Sequence, residues 1–400
     1  MRTTFLFFGL LLSCTAFAQA DSMYVSGRYL YNHCGDTVIL RGINYPVLDD
    51  WNFPANMNNG TERLSEIEKT GANCVRIQWY NNYGQPTRSA FALKDLDSLL
   101  TRCARYKLIP IIGLWDLTTT NNWAAFPQII TAWWTQPSVV QLIKKHQRYL
   151  ILDIANEMGH CRWTANPQAA VIQFETNYKT AIVALRIAGI QVPLIIDAPD
   201  GGQSMDVIRQ VGASIINSDP LKNIVFGVHT YWWAYPKLNA TVADFKNEFQ
   251  LTKDANLPIV IGEVASYQSE SGEQCNYDLS LIYPEILKIA KQFETGWIAW
   301  CWNKDNCTLR QLSSTGLFAN LTPWGNDFIN NPVYGIKGSL RNLTSFEKCS
   351  CFPFRTVYKR CTGVNRKKYM KCVTYKNSKN GTICETICES CKIYIRRSGF

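Results

Sequence analysis

Eight short apolar runs recur along the first three quarters of the chain, and segments with helical spacing lie between them. The runs are continuous and rich in β-branched residues, which is typical of parallel strands covered on both faces. Eight strands alternating with helices predict an α/β fold, a (β/α)8 TIM barrel, with an open doubly wound sheet as the alternative. No glycine-rich phosphate-binding loop follows any run, which disfavours the open sheet. The predicted strands cover residues 38–43, 74–78, 108–114, 150–155, 192–196, 224–228, 258–261 and 297–301.

The segments between the runs complete this prediction. Residues 23–37 contain Gly27 and a Cys34-Gly35-Asp36 turn, and we expect them to form a hairpin that closes the floor of the barrel. Helical spacing predicts helices over residues 62–70, 93–106, 169–187, 205–211 and 283–293.

Residues 1–20 have the pattern of a secretory signal peptide. Arg2 precedes an apolar run over residues 5–12, and Ala18-Gln19-Ala20 is a suitable cleavage site. A lipoprotein signal around Cys14 is the alternative. The apolar run is too short to cross a bilayer, and no later run reaches about 18 apolar residues. We therefore expect a secreted, extracellular protein without a membrane span.

The charge is unevenly distributed between a body and a tail. Residues 341–400 hold 14 Lys+Arg and 3 Asp+Glu, whereas the whole chain holds 41 and 31. This break predicts a (β/α)8 body over residues 21–340 and a small Cys-rich basic appendage over residues 341–400. Because the positive charge is confined to the tail, a nucleic-acid partner is disfavoured. The tail is predicted either to contact acidic cell-wall polymers or surfaces, or to be a solvated appendage without a specific partner.

Cysteines are numerous in both parts. The tail holds seven of the 15, and the body after the signal peptide holds seven. In a secreted chain these numbers favour disulfides over a zinc site in the tail. Since each part holds an odd number, at least one cysteine is either unpaired or bridges the two parts.

Two predicted strands end in a glutamate. The fourth run continues into Ala155-Asn156-Glu157, and the seventh ends at Glu263. In a TIM barrel the catalytic groups lie at the carboxyl ends of the strands, so both carboxylates are predicted to face one pocket. Retaining glycoside hydrolysis requires such a pair, about 5–5.5 Å apart.

The segments LDIANEMG, IVIGEVA and GVHTYW resemble the polysaccharide hydrolases of glycoside hydrolase family 5, within clan A, and the resemblance extends over residues 24–334. It implies Glu157 as general acid/base and Glu263 as nucleophile. It also implies supporting and substrate-binding residues around them. These are Asn156 for the sugar 2-hydroxyl, Arg76 and Tyr231 beside the nucleophile, His229 in the active-site network, and Trp300 as the aromatic platform under the sugar. The two-residue period of a strand predicts Trp302 on the same face as Trp300, as a further substrate-binding residue. For His229 and Trp300 a packing role in the core is the alternative.

One position departs from the family pattern. Family members usually end the third strand with His, whereas this chain reads LIPIIGLWDLT and has Trp115 there, followed by Asp116. An indole can donate one hydrogen bond but cannot accept a proton. The substitution therefore bears on substrate binding and rate, and it leaves the two carboxylates in place.

The resemblance implies a retaining endo-β-1,4-glycanase that acts on cellulose, β-glucan or mannan. No metal or cofactor is required, and we expect a monomer whose partner is a β-linked polysaccharide. The alternative is a non-catalytic polysaccharide-binding protein on a degenerate barrel, which Trp115 keeps open.

Overall fold

A closed barrel of eight parallel strands forms the centre of the molecule. The computed structural model describes residues 22–47, 63–81, 93–231, 241–270, 273–338, 346, 351–360, 369–377 and 383–388. The barrel strands follow one another around the barrel in chain order. In that order they are Arg41–Tyr45, Cys74–Trp79, Ile109–Leu114, Ile151–Asp153, Leu194–Asp197, Ile224–His229, Ile259–Val264 and Gly296–Ala299. All eight predicted strands are confirmed, and with them the (β/α)8 barrel.

Helices surround the barrel, and all five predicted ones are present. Five further helices of the described residues were not predicted, and the three longest of them begin with a local signal: Pro137 and Pro323 stand at first helical positions, and Thr241 forms a capping box with Asp244. The α-helices span Leu64–Glu68, Leu93–Arg105, Ala132–Trp134, Pro137–His146, Pro167–Ile187, Pro199–Gly202, Met205–Ser218, Val242–Asp254, Tyr283–Gln292 and Pro323–Asn330. None of the helices in the described residues is both long and apolar enough to cross a membrane.

The floor of the barrel is closed by the predicted hairpin, extended by one strand. Tyr24–Ser26, Tyr29–Tyr31 and Thr37–Val38 form a small antiparallel sheet. Its apolar residues Met23, Leu30 and Val38 are buried in one cluster with the residues at the amino-terminal ends of the barrel strands. The chemistry of the molecule must therefore be sought at the opposite, carboxyl end.

Glycines on the barrel strands leave room for polar side chains from neighbouring strands. Asp197 pairs in register with Gly227, where a Cβ atom would lie 2.0 Å from the Asp197 carboxylate. A Cβ atom on Gly262 would lie 2.9 Å from Nε2 of His229. A Cβ atom approaching a fixed polar atom this closely forces a displacement, so these glycines are a condition for burying Asp197 and His229 inside the barrel.

Outside the barrel, the tail contains a second sheet. Cys351–Arg360, Tyr369–Asn377 and Ile383–Cys388 are antiparallel and adjacent in that order. Above the carboxyl end of the barrel, a disulfide joins Cys275 in the strand Glu273–Asp278 to Cys307 in the segment after the eighth barrel strand. A disulfide is therefore present, as predicted, whereas Cys74, Cys103, Cys161 and Cys301 of the body are free thiols.

Candidate active site

The two predicted glutamates meet at the carboxyl end of the barrel. Glu263 lies within the seventh strand, and Glu157 lies four residues beyond the end of the fourth. A carboxylate oxygen of Glu157, one of Glu263 and a ring nitrogen of His229 all lie within 4.8 Å of one another. This separation of the carboxylates is close to the about 5–5.5 Å of retaining glycosidases and shorter than the about 6.5–9.5 Å of inverting ones.

Glu263 is buried and surrounded by hydrogen-bond donors. Arg76 Nη1 donates to Oε1 at 2.8 Å, and the Tyr231 hydroxyl donates to Oε2 at 2.6 Å. His229 Nδ1 lies 3.7 Å from Oε2. Burial raises the pKa of Glu263, while the positive charge of His229 acts in the opposite direction; the charge of Glu157 reinforces the increase, and Arg76 and Tyr231 oppose it. The donors fix the direction in which this carboxylate points.

Arg76 is the centre of a buried charge cluster. Its Nη2 donates to the Asp153 carboxylate at 2.6 Å and to the Asp197 carboxylate at 3.1 Å. Asn44 accepts from Nη1 at 3.1 Å. Burial alone would lower the pKa of Arg76, but the surrounding carboxylates raise it, so the guanidinium stays charged. Burial and the charge of Asp197 raise the pKa of Asp153 to about 7.

Glu157 is held through both its backbone and its side chain. Its φ is +46°, an uncommon conformation for a residue with a side chain. Its backbone N–H donates to Oδ2 of Asp197 at 3.2 Å, and its Oε1 lies 2.7 Å from Nδ1 of His229. Burial would lower the pKa of His229, but the charges of Glu263 and Asp197 raise it well above its usual value. These charges favour a proton on each ring nitrogen of His229, whose ring lies between the carboxylates of Glu157 and Asp197.

Asn156 has a defined amide orientation. Arg76 Nη2 donates to its Oδ1 at 2.6 Å, and since a guanidinium has no acceptor, the oxygen must face Arg76. The amide nitrogen then faces away and donates to Thr118 Oγ1 at 3.3 Å. A second N–H of the same amide remains to bind a ligand hydroxyl.

Two tryptophans form a stacked pair beside the carboxylates. The rings of Trp115 and Trp300 are 5.1 Å apart and inclined by 22°. Trp300 follows the eighth strand, clusters with Tyr231, and donates its indole N–H to Asp305. The Trp115 ring lies 5.6 Å from the Arg76 guanidinium carbon. Trp115, which departs from the family pattern, thus packs against Trp300, the residue that the resemblance implies as the sugar platform.

The structure does not bring Trp302 to the same surface. It is fully buried in the main core, and its indole N–H donates to the Gly316 carbonyl at 3.0 Å. The expectation from two-residue periodicity was wrong because the eighth strand ends at Ala299, so strand alternation does not extend to residue 302.

Sequence reasoning missed three buried residues that complete the cluster, namely Asn44, Asp153 and Asp197. Each lies at or near the end of a barrel strand, in the segments LRGINYP, LDIANEMG and IIDAPDGGQ. For Asp153 and Asp197, an acidic residue at the end of an apolar strand was the available signal. Their partner Arg76 could not be inferred from their own segments, because it comes from a strand distant in sequence.

Sequence comparisons agree with this geometry. The sequence model of the cellulase family, described as glycosyl hydrolase family 5, matches residues 32–306. A mannan endo-1,4-β-mannosidase of Cellvibrio japonicus (strain Ueda107) is 29% identical over 345 residues, which cover 84% of this chain and 72% of the relative. A mannan endo-1,4-β-mannosidase of Salipaludibacillus agaradhaerens is 26% identical over 315 residues, which cover 77% and 90% of the two chains.

Solved structures share the barrel fold. The β-mannanase of Thermomonospora fusca in its mannohexaose complex matches with a TM-score of 0.66 and 23% identity, covering 82% of this chain and 99% of that chain. A family 5 cellulase from an Icelandic hot spring isolate matches with a TM-score of 0.55 and 16% identity, covering 76% and 92%.

Proposed function

Because this chain belongs to glycosyl hydrolase family 5, and is thus an O-glycosyl hydrolase, we propose that it is a retaining endo-β-1,4-mannanase with Glu157 as acid/base and Glu263 as nucleophile. The observation that supports this proposal most directly is the approach of the two carboxylates to within 4.8 Å. This short distance fits a retaining mechanism, because Glu263 itself attacks the sugar and no water molecule needs to fit between them.

In the first step, Glu263 attacks the anomeric carbon while Glu157 transfers its proton to the leaving oxygen. The covalent glycosyl-enzyme is then hydrolysed by a water molecule that Glu157, now ionised, deprotonates. Attack requires an ionised Glu263. Although burial raises its pKa, the cations of Arg76 and His229 and the Tyr231 hydroxyl all stabilise the charged form.

Glu157, His229 and Glu263 form a donor set that could also hold a metal ion. We assign the set to acid/base chemistry because its atoms already hydrogen bond to protein groups. Nδ1 of His229 faces Glu157, and both oxygens of Glu263 accept protein hydrogen bonds.

Mannan is preferred over cellulose as the substrate on the strength of the relatives. The proteins named mannan endo-1,4-β-mannosidase are 26–29% identical to this chain. The mannanase structures match with TM-scores of 0.65–0.66, and the cellulases with 0.55–0.56. The free N–H of Asn156 is the proposed contact to the substrate 2-hydroxyl, and Trp300 with Trp115 forms the proposed sugar platform.

We further propose that the protein is secreted as a monomer. The signal sequence lies outside the described residues, and the support comes from its sequence pattern. The basic tail is proposed to contact acidic cell-wall polymers or surfaces, on the basis of its charge. Truncation at Leu340 tests that role. We expect the truncated protein to lose binding to an insoluble acidic polysaccharide and to keep its activity on a soluble substrate.

The catalytic assignment is tested with Glu263→Ala. We expect turnover of mannan to fall by several orders of magnitude while the melting temperature changes little, since a nucleophile is lost without a change in fold. Azide should restore part of the activity and yield a glycosyl azide of inverted configuration. Near-normal turnover in this variant would remove Glu263 from the nucleophile role.

The substrate is tested by product analysis on galactomannan, glucomannan and carboxymethylcellulose. We expect internal cleavage of the two mannans and little release of reducing ends from carboxymethylcellulose. Preferential cleavage of carboxymethylcellulose would identify a cellulase. Binding to all three without any cleavage would favour the non-catalytic binder instead.

A further inference from the structure

Asp197, at the end of the fifth barrel strand, contacts Glu157 and two residues that surround it, Arg76 and His229. It is fully buried. Its Oδ2 accepts from the Glu157 backbone N–H at 3.2 Å and from Arg76 at 3.1 Å, and lies 3.4 Å from Nε2 of His229. We propose that Asp197 is a positioning residue that holds the acid/base Glu157 in its catalytic geometry. The inference rests on the proposed function, since it concerns how Glu157 performs that role.

The first contact acts on the backbone of Glu157. A residue with a side chain at φ +46° is strained, typically by about 1–3 kcal/mol, and persists only where its surroundings enforce the conformation. The backbone N–H of Glu157 donates to the ionised Asp197 carboxylate, which makes it a charge-assisted hydrogen bond. Without that charge, one restraint on the direction of the Glu157 side chain is lost.

The second contact acts through His229. Its ring lies between two carboxylates, with Nδ1 2.7 Å from Glu157 and Nε2 3.4 Å from Asp197. The other ionisable groups around the ring are Glu263, 3.7 Å from Nδ1, and Arg76 and Tyr231, which contact Glu263. Asp153 is also close enough for the charge of His229 to lower its pKa. Asp197 favours a proton on Nε2 without removing the one on Nδ1. The ring can then donate a hydrogen bond to Glu157 and hold it in place.

Asp153 provides a matched control. It is equally buried and binds the same guanidinium, at 2.6 Å from Nη2 and 3.0 Å from Nε of Arg76. Among the described residues, its side-chain hydrogen bonds go to Arg76 and to neither Glu157 nor His229. Asp153→Asn therefore replaces a buried carboxyl group of the same cluster and leaves the two contacts in question intact.

The experiment compares Asp197→Asn with Asp153→Asn on two substrates. A mannooligosaccharide needs protonation of its leaving group, whereas a dinitrophenyl β-mannobioside does not. For Asp197→Asn we expect kcat/KM to fall about 100-fold on the oligosaccharide, the scale of lost general-acid catalysis, and far less on the aryl substrate. For Asp153→Asn, which acts on Glu263 through Arg76, we expect both substrates to be affected equally.

The pH profile provides a second readout. Removing the negative charge of Asp197 lowers the pKa of His229, so the ring loses its proton at a lower pH. We expect the alkaline limb of kcat/KM on the oligosaccharide to shift to lower pH in Asp197→Asn. Equal losses on both substrates together with an unshifted alkaline limb would overturn the inference.

A third measurement requires no variant, and it can overturn the inference even if Asp197→Asn does not fold. In the wild-type protein the ¹⁵N shifts of His229 should remain those of an imidazolium at pH 7.5; a neutral ring protonated on one nitrogen would overturn the inference. The proposed function has its own check in Glu157→Gln, which should lose oligosaccharide cleavage and retain glycosylation by the aryl substrate. If Glu157→Gln fails that check, the proposed function fails with it. If it passes and Asp197→Asn matches Asp153→Asn, only the role of Asp197 is refuted.

Discussion

Trp115 shows how one residue changes a surface without touching the reacting groups. Its ring stacks on Trp300 at 5.1 Å. A histidine at this position would offer polar nitrogens, whereas the indole offers a large apolar face that rigidifies the platform. The departure from the family pattern is therefore expected to affect the binding of sugar more than bond cleavage.

Replacing Trp115 with His tests this interpretation. We expect KM for mannooligosaccharides to rise several-fold and kcat to change by less than about threefold, because an interaction common to ground and transition states is lost. Loss of the stacked pair should also reduce stability by about 1–3 kcal/mol. Steady-state kinetics and thermal melting measure both effects. A large fall in kcat with unchanged KM would place Trp115 in the chemical step instead.

The sequence predicted the residues that stand in recognisable segments, and it missed those that are defined by their partners. Glu157, Glu263, His229 and Tyr231 end or follow strands, and the structure brings them together. The sequence marks Asp197 as an acidic residue at a strand end, but its role could not be predicted, because that role arises from contacts with Arg76, Glu157 and His229 on or after other strands. The roles of all these residues await the experiments above.

At the scale of the elements, glycines in the barrel strands matter because they leave room for polar side chains of neighbouring strands. The predicted strand positions were correct because continuous apolar runs identify buried parallel strands. The apolar runs could not show why the sixth strand contains Gly227. The reason is that Gly227 pairs in register with Asp197 on the fifth strand. Helix ends likewise depended on capping residues such as Thr241, which the spacing of apolar residues does not predict.

Gly227→Ala tests the importance of this space. A Cβ atom would lie 2.0 Å from Asp197 Oδ1, so the carboxylate must move away from Arg76, His229 and the Glu157 backbone. We expect a loss of stability of about 1–3 kcal/mol from overpacking, and a fall in activity that exceeds the loss of folded protein. Gly338→Ala, which meets nothing within 4 Å, is the control. Full activity in Gly227→Ala would show that the strand can yield at this point.

For the whole molecule, the question is how body and tail are joined. Phe346 packs against the floor cluster, with its ring 5.2 Å from that of Tyr149. Cys34, in the turn of the floor sheet, is disulfide-bonded. The other six cysteines of residues 22–338 are accounted for: Cys74, Cys103, Cys161 and Cys301 are free, and Cys275 is paired with Cys307.

We therefore expect Cys34 to be linked to a tail cysteine, because Cys14 is removed with the predicted signal peptide. Peptide mapping of the secreted protein without reduction should recover a fragment of residues 22–47 joined to one from residues 341–400. In Cys34→Ser, proteolysis between body and tail should release the tail without a reductant. A Cys34 peptide that carries a free thiol in the mature protein would contradict this expectation.

The glycines beside the buried polar residues have a consequence for protein engineering. At Gly227 and Gly262 the absence of a Cβ atom leaves the space that Asp197 and His229 occupy, so each buried side chain depends on the glycine that faces it. Grafting this catalytic centre onto another barrel by copying only the charged residues should fail wherever the host strand has a larger residue at the facing position. The glycine and its neighbour need to be transferred as one unit.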